Sequence, residues 1–302
     1  MKKTTTIFVL LICILLQTAT PAFGQKQAEM FDQIRKEGME NSQIMRTLHF
    51  FSDVYGPRLT GSTNLKMAGD WAVREMTNWG FENARLDPWD FGHPGWVNER
   101  ASGFITSPVQ DSLVFEVLAW TPGTKKAVKG QAFQLNIPTF LAVNNSNIQL
   151  PPTQEELTAY FEKIKPQIKG KIVLMGKPNV VSVNFNPQPK RIDDETLRRR
   201  LSGNTPPFQI PPQPEPRPGQ LTFQQIAEQL DKFLIENKVL VRVNDAGREH
   251  GQIRAFNNRS FDVSKTVPTV VMRNEDYGRI WRLMENAIPV MLEFDIKNRI
   301  IP

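Results

Sequence analysis

Thr153-Gln154-Glu155-Glu156, with Ile172-Val173-Leu174-Met175 shortly after it, decides how this chain is read. A threonine followed three residues later by glutamate forms a capping box, so a helix starts there. The short apolar run after Gly170 reads as a strand. The same alternation recurs downstream. Gly130 to Leu135, Val239 to Val243 and Thr269 to Met272 are strand-like, and Thr222-Phe223-Gln224-Gln225 is a second capping box. Asn274-Glu275-Asp276 opens a last helix with acid at its positive end, and Val290 to Ile296 supplies a final strand. From about Pro122 onward the chain is therefore expected to be a mixed α/β unit.

Upstream the pattern is helical. Ser42 can cap a segment in which Ile44, Leu48 and Phe51 recur at helical spacing. The Gly and Pro positions of Tyr55-Gly56-Pro57-Arg58-Leu59-Thr60-Gly61-Ser62 then force a turn-rich connection. A second helix is predicted from about Asn64 to Trp79, with Leu65, Ala68, Ala72, Met76 and Trp79 on one side and Gly80 as its left-handed stop. Leu86 to Phe91, Gly103 to Thr106 and Leu113 to Trp120 read as strands. These look too few to cover both helices, so this part reads as one edge of an α/β layer.

Lys2 and Lys3 precede an apolar run from Ile7 to Leu16, and Ala22-Phe23-Gly24 is a small-x-small pattern. Residues 1–24 are therefore expected to be a secretory signal, cleaved near Gly24, with a secreted or periplasmic product. The run is shorter than the ~20 apolar residues needed to span a bilayer, so no membrane anchor is expected once the signal is removed. Cys13, the single cysteine, lies in that run, so a product of about 280 residues would depend on burial and not on disulfides. The formal charge of +6 includes two signal lysines, and the other Lys and Arg are interspersed with Asp and Glu, which argues against a nucleic-acid partner. Arg198-Arg199-Arg200 follows Asp193-Asp194-Glu195 and reads as a short helix obeying its dipole. The proline-rich stretch from Asn204 to Gly219 reads as a stiff surface loop.

Catalytic chemistry is hard to find. A zinc catalyst needs about three protein ligands at short spacing or from neighbouring strand ends. His49, His93 and His250 are isolated from one another: His49 is expected half-buried and hydrogen-bonded at a helix end, His93 in a turn, and His250 beside Glu249 without a second ligand. No Gly-x-Ser-x-Gly elbow, cysteine nucleophile or phosphate loop is present. The Asp193-Asp194-Glu195 cluster is better explained by helix capping. No catalytic or metal-binding residue is therefore assigned.

Tyr55-Gly56-Pro57-Arg58-Leu59-Thr60-Gly61-Ser62, with Ala68-Gly69-Asp70-Trp71-Ala72 and Trp79-Gly80-Phe81, resembles the opening segment of metallopeptidase family 28. That family includes zinc aminopeptidases and the plasma glutamate carboxypeptidase type. The likeness continues through Ala119-Trp120-Thr121-Pro122-Gly123-Thr124, Gly170-Lys171-Ile172-Val173-Leu174-Met175-Gly176, and Val267-Pro268-Thr269-Val270-Val271-Met272 to Asp295-Ile296-Lys297-Asn298-Arg299. The resemblance implies an edge of a peptidase α/β domain over 25–121, a protease-associated domain over 122–296 with its proline-rich loop at 204–219, and a return to the peptidase domain over 297–302. It also implies zinc in the full-length family, with ligands in the returning part beginning at a His-x-Asp motif. This sequence reaches Pro302 before such a motif, so no family ligand is carried onto a residue here. The expectation is the N-terminal portion of a secreted zinc-dependent exopeptidase, inactive alone, whose partners are a peptide substrate or the missing peptidase half. The alternative is a non-catalytic secreted module that binds proteins or peptides.

Overall fold

The computed structural model describes residues 27–142, 145–183, 185, 191–203, 217–255 and 260–302. The expected signal and residues 204–216 of the proline-rich stretch lie outside them. The chain divides into two compact units between Asp90 and Phe91, upstream of the junction expected at Thr121.

The first unit is helical. Helix α1 covers 27–40, α2 covers Ile44–His49 and runs into a π-helical turn at Phe50–Val54, and α3 covers Thr63–Asn78. Helix α3 stops where Gly80, at φ +90, is expected to stop it, and it starts at a cap not singled out in the sequence, the Ser62 hydroxyl, which accepts from the Leu65 amide at 3.2 Å. Trp71 of α3 organises what packing there is. Phe50 stacks on it at 4.8 Å, Phe51 meets it edge-on at 5.1 Å, and Arg46 crosses to Glu75 at 2.6 Å. Ser42 does not cap α2, whose N-cap is Gln43. Nor does 86–91 form a strand. Pro88 has no amide to give a ladder, and Leu86 instead packs against α3, within 2.9 Å of where a Cβ on Gly69 would stand.

The second unit is built on one eight-stranded mixed sheet. Its strands are β1 (Gly95–Ser107), β2 (Asp111–Ser112), β3 (Phe115–Val117), β4 (Val128–Leu135), β7 (Ile172–Met175), β8 (Val241–Asp245), β9 (Thr269–Met272) and β10 (Met291–Ile301), in the order β2-β1-β10-β4-β7-β8-β9-β3. A separate hairpin is formed by β5 (Phe140–Ala142) and β6 (Asn145–Leu150). The centre, β4-β7-β8-β9, is parallel, and the flanks are antiparallel. Strand β1 pairs with β10 from Gly95 opposite Ile301 to Ser107 opposite Met291. The strands on either side of Pro122 thus share one sheet, and residues 297–301 complete β10.

Both capping boxes form. Thr153 starts α4 (Gln154–Ile168) and Thr222 starts α6 (Phe223–Glu236), while Asp193 caps α5 (Asp194–Leu201) and places Arg198, Arg199 and Arg200 in its last turn. Helices α4 and α6 bury Leu157, Phe161, Ile164, Ile168, Ile226, Leu230, Phe233 and Leu234 in one core with Leu135 and Val173. Side chains alternate along a strand, so Leu174, Val241, Val243, Val270 and Met272, all fully buried, belong to the opposite face. Helix α7 (Asn274–Glu285) contributes the fully buried Tyr277 and Ile280.

Candidate functional site

The three histidines are not brought together as ligands. His49 is exposed, not half-buried, because α2 buries none of its residues; its Nδ1 lies 2.7 Å from the Asp53 carboxylate one turn on. His93 stacks on Phe261 with ring centroids 3.9 Å apart. His250 is exposed, with φ +59, and its Nε2 is 3.8 Å from Glu249. Among the described residues no group of three or more His, Cys, Asp or Glu side chains is placed to hold a metal ion. These residues do not fit a zinc site, and no catalytic step is derived through one.

Parallel sheets present ligands beyond the carboxyl ends of their strands. Here that edge is closed by Asp245, the last residue of β8. Its carboxylate accepts from the Asn179 amide at 2.7 Å, Asn179 Nδ2 at 2.9 Å, Asn274 Nδ2 at 3.0 Å and the Gly247 amide at 3.0 Å. The loops after β7 and β8 and the start of α7 are tied together by one side chain. Beside it the Tyr277 hydroxyl donates to the Gly176 carbonyl at 2.7 Å, and burial pushes this phenol well above its usual range.

The more open feature lies on the sheet face that α4 and α6 cover at β4 and β7. Toward β8, β9 and β3 that face carries Arg242, Asn244, Thr269 and Val271, alternating with the buried valines. A cavity of ≈ 480 Å³ stands over it, bounded by Asp231 of α6, by Leu118 and Trp120, and by Arg248, Arg254, Ser260, Lys265 and Thr266 of the β8–β9 connection. Four cationic side chains line it against two carboxylates, Asp231 and Asp245. Arg242 is ion-paired with Asp231 at 3.0 Å, and its Nε donates to Asn244 Oδ1 at 3.3 Å. Asp245 is held by the asparagines and Gly247. Arg248 makes no hydrogen bond or ion pair among the described residues, and Lys265 has only a 3.9 Å contact with Asp262.

One wall of the cavity is strained. Trp120, 5 % exposed, adopts φ +53, a left-handed conformation disfavoured for a bulky residue. It is held by its indole N–H, which donates to the Pro94 carbonyl at 2.8 Å, and by Phe261, edge-on at 4.7 Å. Gly123 anchors the same turn: a Cβ there would stand 2.6 Å from the Ile296 carbonyl oxygen. Sequence patterns could not reveal this cavity, because its cations come from one strand and one long connection and Leu118 and Trp120 of its apolar wall from more than a hundred residues upstream. The unusual Ala119-Trp120-Thr121-Pro122-Gly123 run was the one local hint.

No helix among the described residues is long and apolar enough to cross a membrane. No family model matches the chain, and no curated protein matches it. Among solved structures it is similar to a peptidase M28 precursor from Shewanella amazonensis SB2B, at 15% identity and TM-score 0.46, covering 92% of this chain and 51% of that one. It is also similar to an aminopeptidase from Aneurinibacillus sp. strain AM-1, at 10% identity and TM-score 0.38, covering 85% of this chain and 45% of that one. The chain thus spans about half the length of these two structures.

Proposed function

We propose that this chain is the non-catalytic, N-terminal portion of a secreted zinc-dependent exopeptidase, supplying scaffold and substrate access while the metal is held elsewhere. The reading rests on the ordered motifs of the sequence, and one structural observation supports it. Part of the apolar side of α3 is open: Ala68 is buried, but Leu65, Met76 and Trp79 are 39%, 39% and 54% exposed, and Ile44 and Leu48 of α2 are more than half exposed. Each large apolar side chain left in water forgoes roughly 1.5–3 kcal/mol, and contiguous patches of this kind mark surfaces made to be covered. The partner in this proposal is the remaining peptidase sheet.

Hydrogen exchange tests the structural half of the proposal. Amides of 27–90 are expected to exchange far faster than those of β7, β8 and β9, because few buried contacts hold the helices closed. Equal protection across both units would remove the need for a partner. The chemical half is tested by incubating the purified chain with zinc and an aminoacyl p-nitroanilide. No hydrolysis above buffer and no zinc retained after dialysis are expected; turnover abolished by substituting any histidine would overturn the reading. A second reading, a non-catalytic module that binds a ligand through the cationic cavity, needs only the second unit.

A further inference from the structure

We infer that the cavity over β8 and β9 is a binding site for a small organic acid, its carboxylate held by Arg248 and Lys265 and its apolar body laid on Leu118, Trp120 and Val271. The inference stands on the second unit alone and does not depend on the exopeptidase reading. Three observations converge on it.

The first is charge. Both carboxylates at the cavity are already engaged, Asp231 by Arg242 and Asp245 by Asn179, Asn274 and Gly247. Arg248 makes no hydrogen bond or ion pair among the described residues and Lys265 has only its 3.9 Å contact with Asp262, so these two cations are not matched by the carboxylates of the cavity. A concave surface with an excess of one sign of charge and low-dielectric walls concentrates ligands of the other sign. The same excess repels a metal ion. Arginine is suited to the planar, forked geometry of a carboxylate.

The second is shape and chemistry. A volume of ≈ 480 Å³ lies within the range of small-molecule sites and is far larger than one inorganic oxyanion requires. Leu118, Val271 and the Trp120 indole offer an apolar surface beside the cations, while Ser260, Thr266 and Thr269 add hydroxyls. The arrangement matches a ligand with an acid at one end and an apolar body.

The third is the left-handed Trp120. Its wall of the cavity is built from a residue held in a costly conformation by the Pro94 carbonyl and Phe261, and backbone strain of this kind collects where a surface is pre-shaped for a ligand.

The test uses the full chain and isothermal titration calorimetry with three kinds of probe. N-acetylated alanine, leucine and phenylalanine as free acids carry both charge and body. Their amides carry the body alone, and inorganic phosphate carries charge alone. At least one free acid is expected to bind saturably, at least about tenfold more tightly than its amide and than phosphate, and to weaken as salt rises. Arg248→Met is expected to weaken that acid by roughly tenfold or more, and Lys265→Met likewise; both side chains are exposed at the rim, so these variants should melt like the parent protein. Failure of all three acids to bind at millimolar concentration overturns the inference. So does equal affinity for acid and amide, saturation by phosphate alone, or unchanged acid affinity in both variants.

Discussion

Replacing Asp276 with alanine should lower the stability of the sheet unit by about 3 kcal/mol, the low end of the loss on breaking a buried ion pair. The carboxylate is 6 % exposed and serves three donors: Arg273 Nε at 2.7 Å, Arg273 Nη2 at 3.0 Å and the Val114 amide at 2.9 Å. The Arg273 amide in turn donates to the Val114 carbonyl at 3.1 Å. One side chain in the first turn of α7 therefore welds the end of β9 to the chain entering β3. Its hydrogen bonds also hold the Arg273 guanidinium above its ordinary pKa. Alanine would leave an amide and a guanidinium without their acceptor. The arginine is partly exposed and water can reach it, which keeps the loss from being larger. Asp276→Asn keeps one acceptor oxygen and should lose less. The measurement is the free energy of opening read from the slowest-exchanging amides of β8 and β9, which reports this unit without the helical one. A change within about 0.5 kcal/mol, the range of ordinary surface substitutions, would show that the weld is not structural.

Phe233→Ala should cost about 3–5 kcal/mol by the same readout. Phe233 of α6 is 7 % exposed and lies parallel to Phe161 of α4, with centroids 4.2 Å apart and planes 5° from one another. Around them stand Leu157, Ile164, Leu230 and Leu234, all buried in the same core. Deleting the ring removes its transfer energy and leaves a cavity that two capped helices on a rigid sheet cannot collapse to fill. Phe161→Ala should cost a similar amount. The double variant should cost less than the sum, by about 0.5–1.5 kcal/mol, because the stacked pair is lost only once. A loss below about 1 kcal/mol for Phe233→Ala would mean that α6 is not the clamp described.

Much of the framework was legible in the residues because its causes are local. Thr153 and Thr222 satisfy backbone donors three positions away, so their capping boxes can be read without knowing the fold. The runs at Ile172–Met175 and Thr269–Met272 became strands with the predicted ends. Gly80 stopped α3 for a reason confined to its own φ. The reading failed where the cause was remote. Leu86 to Phe91 reads as a strand but forms none, while β1 extends back through the polar Asn98, Glu99 and Arg100, upstream of the strand expected at Gly103 to Thr106. What holds β1 together there is β10, two hundred positions away: Asn98 Nδ2 donates to Asn298 Oδ1 at 2.8 Å, and Glu99 accepts from Arg299 at 2.6 Å.

From its sequence alone this protein is an alternation of capped helices and short apolar strands, behind a helical segment whose apolar stripe has nothing nearby to cover it. Those features arise from interactions within about four residues, or from side-chain period. Tertiary structure decided which strands share a sheet, where the compact units divide, and that Arg242, Arg248, Arg254 and Lys265 face Trp120 across one cavity. The reason is that strand pairing and concave surfaces depend on contacts between segments far apart in the chain, and local periodicity carries no record of which distant segment the backbone meets.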